Sequence, residues 1–179
     1  LLERFTCLGG IADNICQRVG EHGRGVFPVN SSRSAKIMTP KNLLVNASNL
    51  CLDGEKIVIK DRKGFTTEEL AFLEMYWNHY SWGNGGSRDS ASFLKFIVTL
   101  KEPIKKQLLS SGFVDATLLA CREDNDCLLK RFISERSVKF EGQSVLAPVW
   151  EFVNHSSFAA PLRITPYGVE TPPIEPSSE

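Results

Sequence analysis

Apolar residues recur on two different periods along this chain, and the change of period divides it into three stretches and a tail. From about Ile11 to Asp61 the apolar runs are short: Ile15-Cys16, Val26-Phe27, Leu43-Leu44-Val45 and Ile57-Val58-Ile59. Gly20, Gly23, Gly25, Pro28, Pro40 and Gly54 interrupt them. Short β-branched runs bounded by turn formers predict strands. Leu52-Asp53-Gly54-Glu55 predicts a hairpin, because Asp-Gly tolerates the positive φ of a type I′ turn.

From Thr66 to Arg136 the period becomes helical. Thr66 and Glu69 have the spacing of a capping box, and Leu70, Leu73, Trp77 and Tyr80 follow at helical intervals. Gly83-Asn84-Gly85-Gly86 predicts the end of that helix. A second helix is expected near Ser90, burying Phe93, Phe96, Ile97 and Leu100. Pro103 suits the first turn of a third, and Asp115 and Asn125 are candidate caps for two more. From Ser137 to Ile164 short strands return, with Val138-Lys139-Phe140 alternating and Gly142 turning the chain. The segment from Thr165 contains Pro166, Pro172, Pro173 and Pro176 and is expected to bury little and to be extended or mobile. The pattern as a whole predicts an α+β fold of short strands in small sheets, interrupted by a helical block.

Composition adds limits. The chain has 179 residues, enough for one domain with its own core. Twenty-one basic and 21 acidic residues cancel, which argues against a protein that grips nucleic acid mainly through its phosphates. No direct nucleic-acid partner is therefore expected. No apolar run approaches the roughly 18 residues of a membrane span, so no membrane partner is expected either. The five cysteines, Cys7, Cys16, Cys51, Cys121 and Cys127, are odd in number and contain no CxxC. An intracellular compartment, cytoplasm or nucleus, fits that usage. Asn-x-Ser occurs at Asn30, Asn46 and Asn154, but no secretion signal accompanies these sequons. The chain opens on Leu1-Leu2 without Met and is read as a piece of a longer protein.

Few segments carry candidate chemistry. Gly23-Arg24-Gly25 lies between two strand-like runs, and glycines let backbone approach a ligand closely. Taken alone it also suits a tight turn, and it lacks the spacing of a P-loop or dinucleotide fingerprint. Asn154-His155-Ser156 is sharper: polar groups directly follow the apolar Trp150 to Val153 segment, and both Asn and His can bond the edge of a heterocycle. A turn around a hydrogen-bonded core histidine fits it equally. The histidines, His22, His79 and His155, have no metal-ligand spacing, and no GxSxG nucleophile elbow occurs. Tyr76 to Trp82 is aromatic enough to line a pocket, but its helical spacing favours core.

The order of these features resembles a SET domain. Gly23-Arg24-Gly25-Val26-Phe27 is similar to the family's opening GxG motif, and Phe152-Val153-Asn154-His155-Ser156-Ser157 to its N-H-S motif. Ser134-Glu135-Arg136-Ser137 and Leu146-Ala147-Pro148 resemble segments of SET proteins with a helical insertion. The resemblance covers about Asn14 to Ile164. It implies a SET-like domain over residues 1–164, with the helical insertion at 66–136 and the tail at 165–179.

The implied activity is methyl transfer from S-adenosylmethionine to a protein lysine, so the implied partner is a protein substrate bearing that lysine. By position, Gly23, Arg24 and Gly25 would cradle the cofactor's methionine part. Asn154 and His155 would bond its adenine and amino regions, and Arg136 would meet its carboxylate. Tyr167 falls near the place where the family often has a tyrosine of its lysine channel. No metal site is implied. No residue is assigned as catalytic, because the family's C-terminal G-E-E-L-x-x-x-Y-G-like segment does not occur in the sequence. The alternatives are a SET-like binding or scaffold protein without turnover, and an unrelated α+β interaction domain.

Overall fold

The computed structural model describes residues 1–20, 23–112, 114, 116–119, 125–153 and 162–171. A short helix, α1 (Leu2–Cys7), buries Phe5 and leads into β1 (Ile11–Asp13). β2 (Ile15–Gly20) follows after one residue, Asn14, at φ +53. Asn tolerates that left-handed conformation. Its side chain also closes the next loop, donating to Asn30 O at 2.8 Å and Arg33 O at 3.0 Å and accepting from Asn30 N at 2.9 Å. This one residue thus breaks the strand, so that β1 and β2 join different sheets.

β2 pairs with β3 (Gly23–Pro28) as a two-stranded hairpin. β4 (Lys36–Pro40) is the second strand of a four-stranded sheet. β5 (Val45–Asn46) enters a three-stranded sheet, and β6 (Leu50–Asp53) pairs with β7 (Lys56–Ile59). In this last hairpin Asp53 faces Lys56 across the loop Gly54-Glu55. Only Gly54 has positive φ, +59. Glycine first in the loop is the type II′ arrangement rather than the expected type I′.

Five helices lie between 67 and 136 among the described residues: α2 (Thr67–Tyr80), α3 (Gly86–Thr99), α4 (Glu102–Ser110), α5 (Ala116–Leu119) and α6 (Asn125–Arg136). The capping box at α2 forms as read, with Thr66 and Glu69 bonding each other reciprocally. α2 supplies the centre of the core: Phe72, Leu73, Tyr76 and Trp77 pack with Phe5, Ile57, Ile59, Phe132 and Phe152. Asn78, near its end, accepts from Ile57 N at 2.9 Å and donates to Ile57 O at 2.8 Å. The amide thereby stands in for a missing neighbour strand along β7.

α3 begins at Gly86, four residues before the expected start; of the residues expected inward, Ile97 is buried and Phe93 packs beside Leu94. Gly86, Ser90, Leu94 and Ile97 are buried, while Phe96 is 57% exposed rather than in the core. Small residues decide this. A Cβ on Gly86 would lie 2.9 Å from the Phe132 ring, so α6 approaches α3 more closely than the larger face would allow. Arg131 of α6 then lies over the Phe93 ring at 3.4 Å and pairs with Glu135. Asp115 and the residues just before Asn125 lie outside the described residues, and Asn125 opens the described part of α6.

β8 (Ser137–Phe140) and β9 (Gln143–Leu146) form a hairpin, with β9 pairing β5 on its other side. β10 (Arg163–Thr165) and β11 (Gly168–Glu170) form another, and β11 pairs with β4. The expectation of a mobile tail from Thr165 is thereby corrected for residues 165–171. The boundary at 164 cuts through β10, Val169 is fully buried, and Thr171 exchanges hydrogen bonds with Ile37. Strands of three residues flanked by prolines carry no readable period, and the partner Ile37 is 134 positions away. The tail beyond 171 lies outside the described residues. The architecture is α+β, with four small antiparallel sheets among those residues.

Glu69 offers a test of the core's polar tie. Burial pushes its carboxyl up, but hydrogen bonds from Asn42 and from the Thr66 backbone and side chain outweigh that and leave it below the usual glutamate range. A depressed folded value stabilises the protein above the unfolded pKa, and the gain is lost as pH falls through the folded one. Glu69→Gln is expected to cost about 1 kcal/mol near neutral pH. Urea midpoints should fall less steeply for the variant than for wild type between about pH 6 and about pH 3. Parallel pH profiles would show that Glu69 contributes nothing to acid stability.

Candidate functional site

The GxG segment forms the first half of β3. Gly23 pairs with Gly20, Arg24 with Val19 and Gly25 with Arg18. Opposite residues share a face of an antiparallel pair, so Gln17 and Val26 lie on the face whose neighbours Ile15 and Val26 pack on the main core. Gly25 and Arg18 lie on the other face, where the Arg18 guanidinium sits 4.3 Å from the centre of the Phe27 ring. Gly25 itself is buried. A Cβ there would lie 3.2 Å from the Phe27 ring and 3.5 Å from Phe152 O. The Phe27 ring is the tight neighbour of such a Cβ, and Phe152 O would stand at ordinary contact distance.

That contact joins the two halves of the sequence pattern. Phe152 closes a 3-10 turn, Trp150–Phe152, and Val153 follows it directly before Asn154. The turn is anchored from both sides. Phe152 N donates to Val149 O at 3.1 Å, and the Phe152 ring meets Tyr76 edge-on at 5.9 Å. The structure therefore sets the glycine strand beside the segment that runs into Asn154. Asn154 and His155, like His22, lie outside the described residues.

The other expected site residues are spread out. Arg136 ends α6, with its guanidinium 4.4 Å from the centre of the Phe132 ring and its Nη1 2.9 Å from Glu135. Tyr167 sits at the tip of the β10–β11 hairpin and is 78% exposed. Its carbonyl accepts from Lys41 N at 2.8 Å. Gly168 pairs with Pro40, whereas Asp13, from which the chain enters β2, pairs with Lys36. Tyr167 and the root of the GxG hairpin thus stand at opposite ends of β4, and the expected channel position for Tyr167 is an exposed hairpin tip instead.

Two side chains that the sequence did not single out carry unsatisfied donors: among the described residues, Gln17 Nε2 on β2 and Trp150 Nε1 in the 3-10 turn are buried without a hydrogen-bond partner. Gln17 lies on the face of the hairpin opposite to Gly25. Such donors carry a desolvation cost that a ligand's acceptor atoms would relieve. The only signal for them was Trp150's place in the apolar run before Asn154. The aromatic stretch from Tyr76 to Trp82 is mostly core, as its spacing indicated, since Tyr76, Trp77 and Trp82 are buried. A shallow groove of about 520 Å³ lies beside it, between β7 and the end of α2, and includes Ile57, Met75 and His79. Among the described residues no cluster of His, Cys, Asp or Glu could hold a metal ion, and no helix is long and apolar enough to cross a membrane.

The Gly25 contact is directly testable. Alanine or valine in a strand normally gains over glycine. Gly25→Val should instead destabilise the protein by about 1–3 kcal/mol, because its methyls meet Phe27 and the Phe152 carbonyl. An unchanged urea midpoint would mean that β3 and the 3-10 turn do not touch. Compared with family models, with curated proteins and with solved structures, the chain matches none, so what this site does has to be read from its own residues.

Proposed function

We propose that the chain is a SET-like domain that binds S-adenosylmethionine and directs methyl transfer to the side-chain amine of a protein lysine. The observation that carries this reading is the approach of Gly25 to Phe152 O, which lays the glycine strand against the segment leading into Asn154-His155. A helical block between the two halves, spanning α2 to α6, adds support.

When bound, S-adenosylmethionine supplies a methyl group on a sulfonium centre, ready for in-line displacement. The protein's share is then mostly positioning and electrostatics. By the family resemblance Gly23, Arg24 and Gly25 would cradle the cofactor's methionine part, and Asn154 and His155 are assigned its adenine and amino regions. Arg136 is already engaged with Glu135 and Phe132, so holding a carboxylate would mean sharing its donors. A lysine attacks only as the neutral amine, which is about one molecule in a thousand at pH 7. A site that excludes water raises that fraction by penalising the charged form.

A second reading, a cofactor-binding module without turnover, is favoured by one observation. Tyr167, the residue expected to line a lysine channel, is exposed at a hairpin tip.

Calorimetric titration of the folded protein with S-adenosylmethionine and with S-adenosylhomocysteine tests the shared premise. Binding is expected, and Asn154→Ala should weaken it by about tenfold or more. A folded protein that binds neither ligand removes the reading. Incubation with a labelled methyl donor and a protein extract then separates the two functions. Label on lysine identifies the enzyme; binding without incorporation identifies the module.

A further inference from the structure

The turn that feeds the site is built against local preference. Ala147-Pro148-Val149-Trp150 has proline where a type II turn favours it, and the next position of that turn requires positive φ, normally from Gly or Asn. Here it is Val149, at φ +77 and ψ −26. A β-branched residue is a rare occupant of that region and persists there only where its surroundings over-determine it.

The surroundings do so from three directions. Val149 is completely buried within the main core. The Pro148 carbonyl accepts from Thr39 Oγ1 at 3.0 Å, and Thr39 is itself fully buried on the central strand β4. The Val149 carbonyl accepts from Phe152 N, which starts the 3-10 turn. The conformation of one residue therefore fixes the heading of Trp150–Phe152, and with it the contact of Phe152 O with Gly25.

We propose that Val149 is a positioning residue, whose left-handed conformation aims the segment entering Asn154-His155 at the β3 glycines and so pre-orders it for the cofactor. This inference rests on the proposed function. Restricting one backbone residue in advance spares the ligand that ordering cost on binding.

Two variants separate positioning from packing; both empty most of the pocket of the buried isopropyl group, alanine keeping one methyl and glycine none. Val149→Gly accepts positive φ freely, whereas Val149→Ala is strained there. Affinity for S-adenosylmethionine should therefore be about fivefold weaker for alanine than for glycine, because the strained residue is driven out of the turn. Packing alone would run the other way, since glycine removes more of the buried side chain.

Equal affinities, or weaker binding by the glycine variant, make Val149 a packing residue and overturn the inference. If neither variant folds, Thr39→Val removes the hydrogen bond to Pro148 O at nearly constant volume. It should weaken binding by about threefold or more, and unchanged affinity would count as disproof. Failure of the wild-type protein to bind S-adenosylmethionine is a distinct result, and it removes the proposed function together with this inference.

Discussion

Both ends of the chain meet on β4, and the rest of the arrangement depends on that meeting. β1 pairs with one edge of this five-residue strand and β11 with the other, so segments near residues 12 and 169 are held a strand's width apart on each side. Ile37 and Thr39 point into the interior and are fully buried. Burying a threonine hydroxyl is unfavourable unless it is bonded. Thr39 answers this by donating to Pro148 O, which ties a third distant segment to the same strand. Gly168 can pair opposite Pro40 only because it lacks a side chain; a Cβ would lie 2.0 Å from Thr39 O.

From that strand the candidate site is reached in two covalent steps. Through Asn14 the chain leaves β1 and rises into the β2–β3 hairpin with its two glycines. Through Pro148 and Val149 it leaves β9 and enters the 3-10 turn. Both departures use a residue at positive φ, and both are pinned by hydrogen bonds to carbonyls. The hairpin and the turn can then meet at Gly25 with little freedom left in either. The helical block contributes from beneath: α2 presents Tyr76 to Phe152, and α6 carries Phe132 and Arg136 into the same core. Its role for the site is that of a rigid floor, while α4, which buries no residue, takes no part in it.

Legibility followed the range of the interactions. The α2 capping box, the β6–β7 hairpin and the separation of strands from helices are local, set by residues within four positions of one another, and the chain spells them out. On α3 the expected Ile97 is buried and Phe93 packs beside Leu94, but Phe96 is exposed, while Gly86 and Ser90 are buried. Close helix contact rewards small residues, and α6 selects the small face. Tyr167 was placed by likeness to a motif, but the register of β11 on β4 sends it to a hairpin tip. The GxG strand was visible as a pair of glycines; that its neighbour is the carbonyl of Phe152 was not.

By itself, then, the sequence determined which stretches become strands and which become helices, and where most turns fall. Period, capping and turn chemistry are properties of neighbouring residues, so they survive without a fold. Only the tertiary structure decided that residues 168–171 complete a sheet, that Gly25 abuts Phe152, and that Val149 is held at positive φ. Each of these depends on partners many residues away, and packing and long-range hydrogen bonds override there what the local sequence prefers.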